Sequence, residues 1–101
     1  TQKIHQNDLI DSVSLQQIDQ KDVLVLKSSY SQGKYTTYLY EDKGYLKELF
    51  ISNQLEFDKD DGKKIIPVSH LKMQQINPYL YHFSCIVDHK EINTNVAIQS
   101  K

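Results

Sequence analysis

The chain has 101 residues, 39% of them hydrophobic and 25% charged, and a formal net charge of −1 from 12 basic and 13 acidic side chains. That length holds one domain with a core large enough to form without staples, and it excludes a two-domain enzyme within these residues. Every basic residue is a lysine, spread from Lys3 to Lys101 among the carboxylates, so the clustered cations and arginine forks that nucleic acid demands are missing and no nucleic-acid partner is expected.

The chain opens on Thr1 rather than methionine, as if entered partway along an element, and an upstream segment is expected. Residues 1–9 carry Ile4 among polar neighbours and are predicted as the tail of an N-terminal helix. Residues 12–100 are predicted as a β domain, the whole of 1–101 forming a single unit. Val13 to Gln17 alternates Val13 and Leu15 against serines and predicts a short strand, followed by a polar turn from Ile18 to Asp22. Val23, Leu24, Val25 and Leu26 are apolar on both faces, which predicts a strand covered on each side. They also form the longest clean apolar stretch, far below the roughly 18 residues of a membrane span.

Ser31, Gln32, Gly33 and Lys34 predict a hairpin loop, and the Tyr- and Thr-rich segment Tyr35 to Glu41 a strand. After an Asp42-Lys43-Gly44 turn, Leu46, Leu49 and Phe50 have helical spacing, but the preceding glycine turn and the short length favour a strand from Tyr45 to Ser52. Asn53 to Gly62 is a charged loop. Lys63 to Val68 reads as an edge strand, because Pro67 has no N–H for a ladder. Leu71 to Ile76 follows, and Asn77-Pro78 breaks the chain. In the last hairpin, Tyr79, Tyr81, Phe83, Cys85 and Val87 are expected to face the same core as Ile92, Thr94, Val96 and Ile98, with Asn93, Asn95 and Gln99 outside. The fold class is therefore mainly β (α+β), an antiparallel strand meander with a short N-terminal helical remnant.

Few residue sets offer chemistry. His82, Cys85 and His89 lie close in sequence, but positions three apart on a strand point to opposite faces, so no zinc or thiol site is expected, and the single cysteine reads as a buried small hydrophobe. Asp58, Asp60 and Asp61 before Gly62 resemble the start of a calcium loop. Gly62 falls at the fifth place, whereas a helix-loop-helix site needs glycine sixth, so a solvated tip is expected and only a looser calcium site stays open. Carboxylate pairs such as Glu41/Asp42 and Asp60/Asp61 sit in turns, where nothing would raise a pKa for acid catalysis. No nucleophile elbow, phosphate loop or nucleotide fingerprint is present. No catalytic residue, cofactor or metal is expected, and the chain reads as a non-enzyme. The seven tyrosines either pack across strands or form a contact surface. Tyr38 and Tyr40 share one strand face while Tyr35 and Leu39 take the other, and Tyr38, Tyr40 and the loop around Asp60 are the candidate interaction surface.

Three stretches, Lys3-Ile4-His5-Gln6-Asn7-Asp8, Val23 to Lys27, and Lys34 through Gly44-Tyr45-Leu46-Lys47-Glu48-Leu49-Phe50, carry a resemblance. They look like the soluble part of a Gram-positive family of type IV pilin-like proteins, similar in layout to minor pseudopilins of secretion and competence systems. His5 stands where that layout has a basic residue. The resemblance implies a membrane-inserted helix upstream of Thr1, an exported, surface or membrane-anchored location, and assembly with sister pilin-like subunits or exported cargo, the membrane being touched only through that helix. Two other readings compete: a free-standing extracellular ligand- or protein-binding β module, and a small β-rich hydrolase or isomerase using His70 or His82 with a carboxylate.

Overall fold

The computed structural model describes residues 10–98. Eight antiparallel strands run in chain order: β1 (Ile10–Ile18), β2 (Lys21–Tyr30), β3 (Gly33–Asp42), β4 (Tyr45–Ser52), β5 (Lys63–Pro67), β6 (Ser69–Asn77), β7 (Leu80–Val87) and β8 (Lys90–Ala97). They are not one continuous meander. The first five form one sheet in the order β1-β2-β3-β4-β5 and the last three form another, β6-β7-β8. The helical tail expected over residues 1–9 lies outside the described residues, as does Gln99.

Alternation of side chains explains why two layers form. Leu24 and Leu26 of β2, opposite Leu15 and Val13 of β1, point to the second sheet and pack with Ile10, Met73, Tyr81 and Ile98. Val23 and Val25 point the other way, into a second cluster with Tyr40, Leu49, Tyr38 and Phe57. Val23, Leu24, Val25 and Leu26 are all buried, as their unbroken apolar run requires. Two cores thus share one strand.

The helical spacing of Leu46, Leu49 and Phe50 gives way to β4, which pairs with β3 through the register Tyr40↔Lys47 and Tyr38↔Leu49. Here a two-residue turn at Lys43-Gly44 fixes the pairing, and both residues have positive φ (53° and 83°). The same construction at Asp19-Gln20 (54° and 67°) shortens the turn expected from Ile18 to Asp22 and extends β1 and β2 to meet at Ile18↔Lys21. A third such turn, Asp88-His89 (53° and 65°), joins β7 to β8. β5 is an edge strand, as its proline requires, with all five residues exposed.

In the last hairpin Tyr81 is fully buried and Phe83 and Val96 pack against the inter-sheet core. Tyr79 departs from the expected inward row. It sits in the turn before β7, 58% exposed, where its N–H donates to the Asn77 side chain at 2.8 Å. Cys85 is only half-buried, and Ile92, on the inner face, is 41% exposed.

Candidate functional site

The face that carries Tyr38 and Tyr40 is closed rather than open. Asn53 to Gly62, expected as a solvated loop, folds back over β3 and β4, and its one aromatic residue, Phe57, lies 4.6 Å from the Tyr38 ring and 5.0 Å from the Tyr40 ring, edge-on to the latter. Tyr40 is therefore buried and offers no ring to a partner, which corrects its place in the expected contact surface. Tyr38 is half-buried beneath the same phenylalanine. Of the three residues of that surface, Asp60 alone is exposed, 3.4 Å from the Lys43 ammonium.

Under the loop lies a buried polar cluster. Lys47 Nζ donates to Asp42 Oδ2 at 2.7 Å with both side chains nearly sealed from solvent, and it also reaches the Lys59 carbonyl at 3.3 Å. The Tyr40 hydroxyl donates to that carbonyl at 2.8 Å. The hydrogen bond from Lys47 holds the Asp42 carboxyl below its ordinary range against the opposing effect of burial. Burial and, next, the Asp42 charge push the Tyr40 phenol up to about 12. Asp42 is thus the buried end of β3 and not a member of a solvated turn pair. The acidic tip is built around its own backbone: Asp58 Oδ1 accepts the Asp60 N–H at 2.9 Å and caps the short 3₁₀ turn Lys59–Asp61. Among the described residues no group of three or more His, Cys, Asp or Glu side chains is placed to hold a metal ion.

A second candidate lies where the two sheets meet. The free edge of β6 turns the N–H of Leu71 and Met73 toward the first sheet, where Glu41 Oε1 and Asp22 Oδ2 accept them at 3.0 and 3.1 Å. Beside this joint opens a groove of about 790 Å³ of mixed lining, with Lys21, His70, Gln74 and His82 beside the two carboxylates and Leu71 and Met73. His70 has φ 54° at a bulge between Ser69 and Lys72, a left-handed backbone that non-glycine residues seldom adopt. On the outer face of the second sheet the His82 ring nitrogens lie 2.6 and 3.2 Å from the Asn95 and Asn93 amide oxygens. His82 and Cys85 point to opposite faces, as strand parity requires. Burial, and then the Glu41 charge, raise the Cys85 thiol pKa, which works against thiolate formation.

The sequence held signals for several of these residues. A lone Phe57 in a charged segment is an anchor, and the register set by Lys43-Gly44 puts Lys47 on the inward face beside Leu49. No local signal marks Asp22 and Glu41 as acceptors for β6, because those contacts span 51 and 30 positions.

Residues 1–88 match the sequence profile described as Domain of unknown function (DUF4860). The chain belongs to that family. No curated protein and no solved structure matches it. The matched residues include both halves of the buried polar cluster and the whole lining of the groove; β8 lies beyond them.

Proposed function

We propose that the chain is the non-enzymatic globular domain of a minor pseudopilin-like surface protein, one that assembles with sister subunits or exported cargo in a type IV pilus, type II secretion or competence-like system. The observation that carries the reading is the way the titratable side chains are used. Asp42, Lys47 and Tyr40 seal a loop, Asp58 caps a turn, and Asp22 and Glu41 join two sheets. These four carboxylates are each committed to an architectural bond, as suits a scaffold that presents surfaces and strand edges. The resemblance of residues 3–8, 23–27 and 34–50 to pilin-like proteins supports the assembly role.

The test is made on the native protein in its host, with and without the prepilin peptidase. Processing that depends on the peptidase, with the protein recovered in the sheared surface fraction, supports the reading. An unprocessed protein, or one cut by an ordinary signal peptidase and released to the medium, overturns it. The groove of about 790 Å³ favours a second reading, a free-standing extracellular binding module. Its amide, hydroxyl, imidazole and charged groups, set among apolar surface, suit a ligand with several hydrogen-bonding groups. Titration of the purified domain with soluble glycans and short peptides, read by chemical-shift changes at His70 and His82, separates the two.

A further inference from the structure

We propose that the free edge of β8 pairs with the β8 edge of a second copy of this chain, antiparallel about a twofold axis at Thr94, joining two three-stranded sheets into one of six strands. The inference uses only the geometry of the second sheet and does not rest on the pilin-like reading.

The four sheet edges are not alike. β5 carries Lys63, Lys64 and Pro67 and meets β4 through an irregular register. β1 is interrupted by a bulge between Ile10 and Ser12. β6 is bulged twice, and two of its outward amides are held by Glu41 and Asp22. Each of these devices discourages a further strand. β8 has no bulge and no proline, and its charges are confined to Lys90 and Glu91 at its turn end. Its register with β7 is unbroken from Lys90 to Ala97, and from Ile92 to Ala97 it has no charge, proline or glycine. Among the described residues nothing pairs with its outer side.

The pattern along β8 selects a second copy as the occupant. Ile98 donates its N–H to the Tyr79 carbonyl at 2.8 Å, so the alternate residues Val96, Thr94, Ile92 and Lys90 also turn their amides toward β7. Glu91, Asn93, Asn95 and Ala97 consequently turn their N–H and C=O groups to the free edge. With the axis at Thr94, Asn93 stands opposite Asn95 of the second copy and Glu91 opposite Ala97. All four are outward-facing, so each pair exchanges both backbone bonds. On the inner face Thr94 meets Thr94, and Ile92, 41% exposed in the single chain, gains Val96 of the second copy as an apolar neighbour. No like charges oppose each other in this register. A twofold contact requires such self-complementarity, with one patch serving both sides.

The pairing is small, so the expected dissociation constant is about 0.1–1 mM. Sedimentation equilibrium over a concentration series up to about 1 mM is expected to show a monomer–dimer equilibrium. Thr94→Lys, which sets two ammonium groups face to face at the axis, is expected to weaken it at least about tenfold while far-UV circular dichroism stays unchanged. In a Cys85→Ser background, Thr94→Cys is expected to form an intermolecular disulfide on oxidation. Ile92→Cys is not, because its thiols are displaced along the paired strands. A chain that stays monomeric throughout, leaving the edge to a strand of some other polypeptide, overturns the proposal. So does a dimer that Thr94→Lys leaves intact, or cross-linking through Ile92→Cys as rapid as through Thr94→Cys.

Discussion

Asp42 and Lys47 form a pair whose worth depends on both partners being present. Removing one leaves the other buried and uncompensated, which costs more than the pair itself contributes. Asp42→Asn is expected to lower stability by about 3 kcal/mol at neutral pH, read as a shift in the urea midpoint. The pH dependence follows from the direction of the shift. The folded-state pKa of Asp42 lies below its ordinary value of 3.8, so the unfolded chain takes up this proton first. The stabilisation is complete above the ordinary value and is lost as pH falls through the folded one. The gap between parent and Asp42→Asn should therefore narrow in acid, and a gap that stays constant down to pH about 2 would show that the charge on Asp42 is not what matters. Gly62 is constrained by space rather than by its backbone, which is ordinary (φ −70°, ψ 149°). An added Cβ would overlap the Tyr40 hydroxyl and stand 2.9 Å from Tyr40 Cζ and 3.1 Å from Lys47 Cβ. Gly62→Ala is expected to cost about 1–3 kcal/mol. The double variant with Tyr40→Phe should cost less than the sum of the two, since the overlapping oxygen is gone; strict additivity in that cycle would locate the strain elsewhere.

At the level of elements, three two-residue turns with positive φ at both positions set the hairpin registers, and only Lys43-Gly44 uses glycine. The other two place Asp19-Gln20 and Asp88-His89 in a conformation that resists side chains. Gln20→Gly relieves a residue held at φ 67° and is expected to raise stability by about 0.5–1 kcal/mol. Thermal unfolding checks this, and a lower melting temperature would mean that the Gln20 side chain contributes more than the strain it bears. These turns explain where strand prediction succeeded and where it fell short. Alternation showed β3, β7 and β8 plainly, whereas β4, with its helical spacing, was legible as a strand only through the glycine turn before it and its short length. It truncated β1 and widened the turn after it, because Asp19-Gln20 lacks the glycine that announces such a hairpin. It also placed Tyr79 in the inward row, because nothing in the alternation says that a strand has not yet begun.

For the molecule as a whole, the first sheet is covered on both faces, by the second sheet on one and by the folded-back segment around Phe57 on the other. The joint between the sheets includes Asp22 and Glu41, each accepting a backbone N–H of β6. Changing either to alanine leaves a partly buried amide unpaired and is expected to cost about 1–2 kcal/mol. Hydrogen exchange should quicken at the Met73 amide for Asp22→Ala and at the Leu71 amide for Glu41→Ala, with β3–β4 amides little changed in rank. Equal acceleration everywhere would mean that the joint has no separate opening.

How far the sequence went differs between fold and site. Period-two alternation, the apolar run Val23–Leu26 and the proline of Lys63–Pro67 determine an antiparallel β protein with a doubly covered strand and a polar edge, because each depends on side-chain direction within a few residues. The candidate surface was less legible. Tyr38 and Tyr40 were correctly placed on one face, but whether that face is open depended on Phe57 crossing back from a loop. The division into two sheets, the buried Asp42–Lys47 pair, the joint at Asp22 and Glu41 and the groove beside it were decided only by tertiary structure. All four depend on how elements stack, and alternation along a strand tells which side chains share a face without telling what lies against that face.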